Sequence, residues 1–292
     1  MKDTVIVRIQ WWLWNQMFQY AYAYALSKRN WCKFLLDVST FDWYKVRKNE
    51  LSLFDNVPPY AKIKDIPFYE RFNVNWKFNW ITKYIRAIWW RLNPYDYRET
   101  SKWFEPKLAD IKRWYVIGYF QTERYFQEYK KEVKKLFTFK QETEKKVSEY
   151  IEKNNLNLQH IAMLHVRRWD FQNDPNCCTI STKYYIEARK MFFPYHKLLI
   201  FSDDVSRCED NLKFSSEDVH YVDWLNWIES LCLMSKCHNF IISNSTFARW
   251  WAYLSNYDKK IIVRPDLEFD RRVKGEAYCR DHYPKEWIPF KW

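Results

Sequence analysis

Ile161-Ala162-Met163-Leu164-His165-Val166, followed at once by Arg167-Arg168-Trp169-Asp170, is the stretch on which the fold turns. An unbroken apolar run of this length marks a strand buried on both faces, and such strands belong to parallel sheets covered by helices. Similar runs follow at Leu198–Ser202, Val219–Val222, Phe240–Ser243 and Ile261–Val263. Between them lie helical patterns at Lys183–Phe192, Val205–Leu212, Ile228–Ser235 and Ala248–Ser255. This alternation predicts an α/β unit with a parallel sheet. Towards the amino end, Val5-Ile6-Val7-Arg8-Ile9 reads as another buried strand. Asn15 to Arg29 then reads as a helix with Met17, Tyr20, Ala21, Tyr24 and Ala25 at helical spacing. Residues 38–93 are irregular, aromatic and basic, and Glu123 to Asn154 reads as a charged helix. Two α/β halves are expected, 1–155 and 156–292, with the C-terminal segment packing back on the first.

Of the 292 residues, 48 are Lys or Arg and 36 are Asp or Glu, giving a net charge of +12; 48% are hydrophobic and 21% aromatic. That content excludes a disordered chain and a collagen-like one. No run of about 18 apolar residues is present, so no bilayer-spanning helix is expected. The opening Met1-Lys2-Asp3-Thr4 lacks the apolar core of a secretory leader. Seven scattered cysteines, an odd number, fit a reducing compartment and a cytoplasmic location. Charge and aromatic richness raise the alternative of nucleic-acid binding. The aromatics, however, follow strand and helix periodicity and no RNA-binding motif occurs, so no nucleic-acid partner is expected. Ile81, Tyr84, Ile85, Ile88 and Leu92, with Lys83, Arg86 and Arg91 between, form a basic amphipathic pattern. A core helix is its first reading; peripheral contact with the inner face of the cell membrane is its second.

The chain has 18 Trp and only 2 Gly. A chain this long carries roughly 20 Gly at the usual share of about 7%, and the two counts together equal that figure. Tryptophan therefore stands in places where a globular fold puts glycine.

Three polar clusters sit at predicted strand ends, where open α/β sheets bind their ligands. His165-Val166-Arg167-Arg168-Trp169-Asp170 offers two fork-shaped guanidinium groups suited to phosphate, with Asp170 placed to orient one of them. Phe201-Ser202-Asp203-Asp204 offers carboxylates for a guanine edge or ribose hydroxyls, or for capping the next helix. Ser243-Asn244-Ser245-Thr246-Phe247 runs straight into a helix, an anion site or again a cap. Three such clusters point to a nucleotide diphosphate. No His, Cys or Asp spacing suggests a metal; Cys232, Cys237 and His238 fall on a helix and its exit, where burial is the expected state.

With these motifs in place, the sequence resembles the bacterial α-1,2-fucosyltransferases of glycosyltransferase family 11. Gln10 to Ala21 resembles the family's Gly-Gly-Leu-Gly-Asn-Gln-Met-Phe-Gln-Tyr-Ala opening. The stretch at His165 resembles its His-Val-Arg-Arg-Gly-Asp motif. Gly118-Tyr119-Phe120-Gln121, Phe201 to Asp204, Asn244 to Phe247 and Pro284 to Ile288 also fit. The departures are systematic, since Trp11, Trp12, Trp14, Trp169 and Trp251 stand at family glycines, and Trp31 and Trp227 are grouped with them. A UGA codon that a lineage reads as glycine, rendered as tryptophan, produces this pattern. The rival is a real variant, badly folded or inactive.

The resemblance implies a GT-B-like α/β fold, two Rossmann-type halves facing a cleft. It also implies inverting, metal-independent transfer of fucose from GDP-fucose to the 2-hydroxyl of a terminal galactose. Arg167 and Arg168 would hold the diphosphate, braced by Asp170, with His165 beside the donor. Ser202 and Asp203 would face the nucleoside. Asn244, Ser245, Thr246 and Phe247 would close the phosphate and sugar side, and Asn15 and Gln16 would reach in from the acceptor half. No cofactor is expected beyond the donor substrate. The acceptor would be a galactose-terminated glycan of a cell-surface polysaccharide, free or lipid-linked. The alternative is an inactive relative that binds glycan or nucleotide.

Overall fold

The computed structural model describes residues 3–43, 46–71, 88, 96–101, 103–166, 180–192, 197–202, 205–266 and 281–291. They divide into two compact units, Met1–Thr138 and Phe139–Trp292.

In the first unit, β1 (Thr4–Arg8) leads into α1 (Leu13–Asn30), then β2 (Lys33–Asp37) and the short helices α2 (Thr40–Trp43) and α3 (Phe68–Arg71). β3 (Asp96–Arg98), β4 (Trp114–Ile117) and α4 (Lys130–Leu136) complete it. The strands pair in the order β2-β1-β4-β3, all parallel. Helix α1 packs on β1 and β2. Ala21, Ala23 and Ala25 are fully buried on it, and their small side chains let helix and strand backbones approach. Its last turn closes with Trp31 in the left-handed conformation and the Cys32 N–H donating to the Ser27 carbonyl at 3.1 Å. That is a Schellman ending, whose turning position usually carries glycine.

The second unit opens with α5 (Gln141–Lys153). It continues through β5 (Ile161–Val166), α6 (Thr182–Arg189), β6 (Lys197–Ser202), α7 (Val205–Leu212), β7 (Val219–Tyr221) and α8 (Trp227–Ser235). β8 (Asn239–Ile241), α9 (Thr246–Leu254), β9 (Ile261–Pro265) and β10 (Ile288–Phe290) end it. The sheet runs β10-β9-β8-β5-β6-β7, all parallel. All six residues of β5 are buried, each aliphatic one contributing about 1.5–3 kcal/mol. Ala162, Leu164 and Val166 pack with Tyr184, Leu198 and Ile200 in one core cluster. From β5 the chain winds outward through β6 and β7, then crosses back to build β8, β9 and β10 on the other side. This is the strand order of a dinucleotide-binding fold, and its direction reverses between β5 and β8.

Two sequence expectations change. Glu123 to Asn154 is not one helix: it holds two single turns (Glu123–Tyr125, Gln127–Tyr129), then α4 and α5. The break falls at Phe137-Thr138-Phe139, where both phenylalanines are buried and an uninterrupted helix gives way to core packing. The division between units falls at that same break, so α5 goes with the second unit, where it packs on α8. Ile288–Phe290, for its part, extends the second sheet beside β9.

Candidate functional site

The reversal between β5 and β8 leaves a crevice at their carboxyl ends, the usual ligand position in such sheets. His165, the penultimate residue of β5, lies there almost fully buried. Its Nδ1 is 2.8 Å from the Ser243 Oγ, two residues beyond the end of β8. The rings of Phe247 (5.8 Å) and Trp251 (4.8 Å) meet the imidazole edge-on. Ser243, Asn244 and Ser245 are all buried. Ser245 stands at the N-cap of α9, yet its hydroxyl caps no backbone N–H of that helix. The capping alternative raised for this cluster is thus not taken by Ser245. Thr246 and Phe247, half-buried, form the first turn, where the helix dipole favours an anion. Two of the three predicted clusters, around His165 and Ser243, therefore meet at one switch point.

The third lies at the end of β6, directly beside β5. Ser202 accepts a bond from the Cys208 thiol at 3.1 Å. Arg167, Arg168, Trp169, Asp170, Asp203 and Asp204 lie outside the described residues. So do Ile81–Ala87, Trp89–Leu92 and the thiols of Cys177, Cys178 and Cys279.

Within the first unit, Asn15 and Gln16 occupy the first turn of α1. The Asn15 Oδ1 accepts from the Gln121 Nε2 at 2.8 Å. Gln16 is fully buried, its Nε2 donating to the Trp11 and Lys48 carbonyls at 2.8 and 2.9 Å and its Oε1 accepting the Glu50 N–H at 3.0 Å. Both amide hydrogens are used on backbone, so Gln16 holds the β1–α1 turn; it does not present donors to a ligand. Gln19 does the same nearby, joining the Gln10 N–H to the Gly118 carbonyl.

A charged cluster that sequence reasoning missed sits at the carboxyl ends of the first sheet. Arg8, Asp37 and Arg98 are the last residues of β1, β2 and β3. The buried Arg8 guanidinium donates to the Tyr115 hydroxyl (Nε, 2.8 Å) and the Glu70 carboxylate (Nη2, 2.6 Å). Arg98 reaches the other Glu70 oxygen at 2.7 Å, and the Tyr115 hydroxyl donates to Asp37. Burial alone lowers the Arg8 pKa, but Tyr115, Glu70 and Asp37 together raise it above its usual value. Burial pushes the Tyr115 phenol well up, and Asp37 and Glu70 add to the rise. Arg8 thus stays charged and Tyr115 neutral, a fixed dipolar array at the carboxyl end of the first sheet. The sequence offered only a partial signal, the charged residues closing the apolar strands β1 and β2.

Among the described residues, no group of His, Cys, Asp or Glu gathers as a metal site. Burial raises the Cys232 and Cys237 thiols to about 12, which keeps them protonated, the first on α8 and the second two residues past its end. No described helix is long and apolar enough to cross a membrane.

Comparison with known proteins adds the following. The model of Glycosyl transferase family 11 matches residues 2–291. The Alpha-1,2-colitosyltransferase of Escherichia coli is 29% identical over 98% of both chains. The O-antigen biosynthesis glycosyltransferase WbnK of Escherichia coli is 26% identical over 90% of this chain and 94% of its own. Among solved structures, a mutant of Arabidopsis thaliana FUT1 in complex with GDP aligns with a TM-score of 0.56. It shares 13% identity over 97% of this chain and 76% of that one. At that identity the likeness concerns the fold alone, and with the two parallel sheets it bears out the GT-B-like α/β class.

Proposed function

We propose, from the premise that this chain belongs to glycosyl transferase family 11, that it transfers fucose from GDP-fucose to the 2-hydroxyl of a terminal galactose. The transfer inverts the anomeric centre and requires no metal. The observation that carries the reading is the switch point between β5 and β8, where His165 and the Ser243–Phe247 segment meet at 2.8 Å. The Arg167-Arg168 pair follows directly on β5 in sequence.

In this reading Arg167 and Arg168 hold the pyrophosphate and neutralise charge that grows on GDP as the glycosidic bond breaks. Fixed cationic donors aimed at developing charge are worth most where water is excluded. Asp170 orients the pair. His165, held by Ser243, positions the donor from beneath. Ser245, Thr246 and Phe247 close on the phosphates and sugar, Asn244 supports that turn, and Ser202 with Asp203 faces the nucleoside. Asn15, steadied by Gln121, belongs to the acceptor side, and Gln16 keeps its turn in place. The acceptor is a galactose-terminated glycan, free or lipid-linked, and the setting is cytoplasmic.

A second donor is favoured by a specific observation, the likeness to an α-1,2-colitosyltransferase. Colitose is fucose without its 3-hydroxyl, so the same diphosphate machinery serves both. Release of GDP from GDP-fucose and from GDP-colitose, measured with galactosyl acceptors in the presence of a chelator, separates the two donors. It also tests independence of metal. Arg168→Ala is expected to lower kcat by about 10²–10³-fold, the usual loss when one charge-stabilising donor is removed. An unchanged rate would remove the guanidinium pair from the mechanism.

A further inference from the structure

We propose that positions 11, 31, 114 and 224 carry glycine in the working protein, specified by UGA codons read as glycine. The ground is the backbone, and it is independent of the proposed reaction. Seven non-glycine residues among those described have positive φ: Trp11 (72°), Trp31 (55°), Trp114 (91°), Phe120 (53°), Asn155 (50°), Lys213 (47°) and Trp224 (60°). Four are tryptophan, although tryptophan is 18 of 292 residues, a share that predicts fewer than one in seven. Positive φ drives Cβ towards the backbone carbonyl; glycine escapes the penalty, and bulky side chains bear it in full.

Each of the four sits in a setting that selects glycine. Trp31 is the turning residue of the Schellman ending of α1. Trp224 is the centre of a three-residue turn in which the Leu225 N–H donates to the Asp223 carbonyl at 2.8 Å, a rare and strained form when φ is positive. Trp114, at φ 91°, lies beyond even the left-handed helical region while opening β4 opposite Val5. Trp11 makes the bend between β1 and α1, with its carbonyl bonded to Gln16.

Two of the indoles stand almost wholly in solvent, Trp31 at 95% exposure and Trp224 at 94%; Trp11 and Trp114 are 42% and 40% exposed, with the Arg113 guanidinium 5.9 Å from the Trp114 ring. Phe120 shows what a retained side chain looks like at positive φ: fully buried, stacked on Tyr22 at 3.8 Å and edge-on to Tyr125. Asn155 is of a type that tolerates the conformation, and Lys213 closes α7. Trp250 and Trp287 are buried, but burial alone does not separate the two groups, since Trp251, at a family glycine, is buried as well; the positive φ does. At Gly118, where glycine is written, an added Cβ would lie 2.6 Å from the Phe120 ring and 2.7 Å from the Glu99 Cβ. Positions 114 and 224 belong to none of the motifs quoted above, and the backbone alone adds them to 11 and 31. With glycine at 11, the main chain at the carboxyl end of β1 opens to close approach by a ligand.

The nucleotide sequence is the first test. UGA at codons 11, 31, 114 and 224 with UGG at 250 and 287 is expected, and UGG at any of the four overturns the proposal. Peptide mass spectrometry of the protein from its own cells is the second, with glycine expected at all four positions; tryptophan there overturns it whatever the codons. The third compares the full chain as written with the combined Trp11→Gly, Trp31→Gly, Trp114→Gly and Trp224→Gly variant in thermal unfolding. A rise of roughly 10 °C or more is expected, or recovery of a cooperative transition should the written chain not fold. An unchanged or lower midpoint counts against the proposal. Trp250→Gly, as control, is expected to lower the midpoint.

Discussion

The His165 imidazole is hydrogen-bonded to the Ser243 hydroxyl and edged by Phe247, and the first of these contacts can be removed by a single atom. Removing the Ser243 hydroxyl leaves Nδ1 buried without that partner, a loss of about 1–3 kcal/mol. Ser243→Ala is therefore expected to lower kcat/KM for the sugar nucleotide about tenfold or more, with the circular dichroism spectrum unchanged. A purely structural histidine would show the same fall in thermal midpoint with kcat/KM left unchanged. Glu105 makes a different prediction. Burial raises its pKa, but the Ser101 and Thr100 N–H donors (2.8 and 2.6 Å) and Lys107 outweigh it and hold the group at about 2. The folded value lies below the unfolded one, so this carboxylate stabilises fully above about pH 4.5. The contribution fades as pH falls towards 2. Thermal midpoints measured from pH 6 to pH 2 should fall less steeply in Glu105→Gln than in the parent.

At the scale of elements, the first sheet is tied together by charge at one end. Arg8, Glu70, Arg98, Tyr115 and Asp37 link β1, α3, β3, β4 and β2. Such a network gains little over an apolar replacement, but breaking it from one side strands an uncompensated charge. Arg8→Met removes one of the two described cations from the buried Glu70 and is expected to cost about 3–5 kcal/mol in urea unfolding. Adding Glu70→Leu should recover much of that loss, because Arg98 is one-third exposed and can turn to water. Equal losses in the single and double variants would show that the ion pair contributes nothing. Elsewhere local chemistry suffices: Asn226 and Glu229 form a reciprocal capping box at the start of α8, a start that sequence alone can specify.

Across the molecule, what was legible followed from continuity. β5 matches its apolar run residue for residue, and β6, β8, β9 and α7 fall within two or three positions of their sequence signals, since each is a short apolar or amphipathic run bounded by polar residues. β3, written Asp-Tyr-Arg, carries charge at both ends, and β10 contains Pro289, which suits an edge strand and hides it from a strand pattern. The break at Phe137 to Phe139 was illegible because no glycine, proline or polar cluster marks it. The Arg8 cluster was illegible for a different reason: its members are 62 and 107 positions apart and meet only when the sheet closes. The site clusters could be named because each lies at a strand end, whereas their meeting depends on strand order.

That order has a kinetic corollary. His165 and Ser243 touch across 78 positions of chain, and every strand between them in sequence is laid down on the far side of β5. During synthesis the first three strands of this sheet can associate while the other wall of the crevice is still absent. If the crevice binds the sugar nucleotide as proposed, that capacity arrives in one late step, when β8 docks, and long-range closures of this kind are slow. On the proposed reading, a nascent or partly proteolysed chain is expected to bind GDP-fucose fully or not at all, with no graded intermediate.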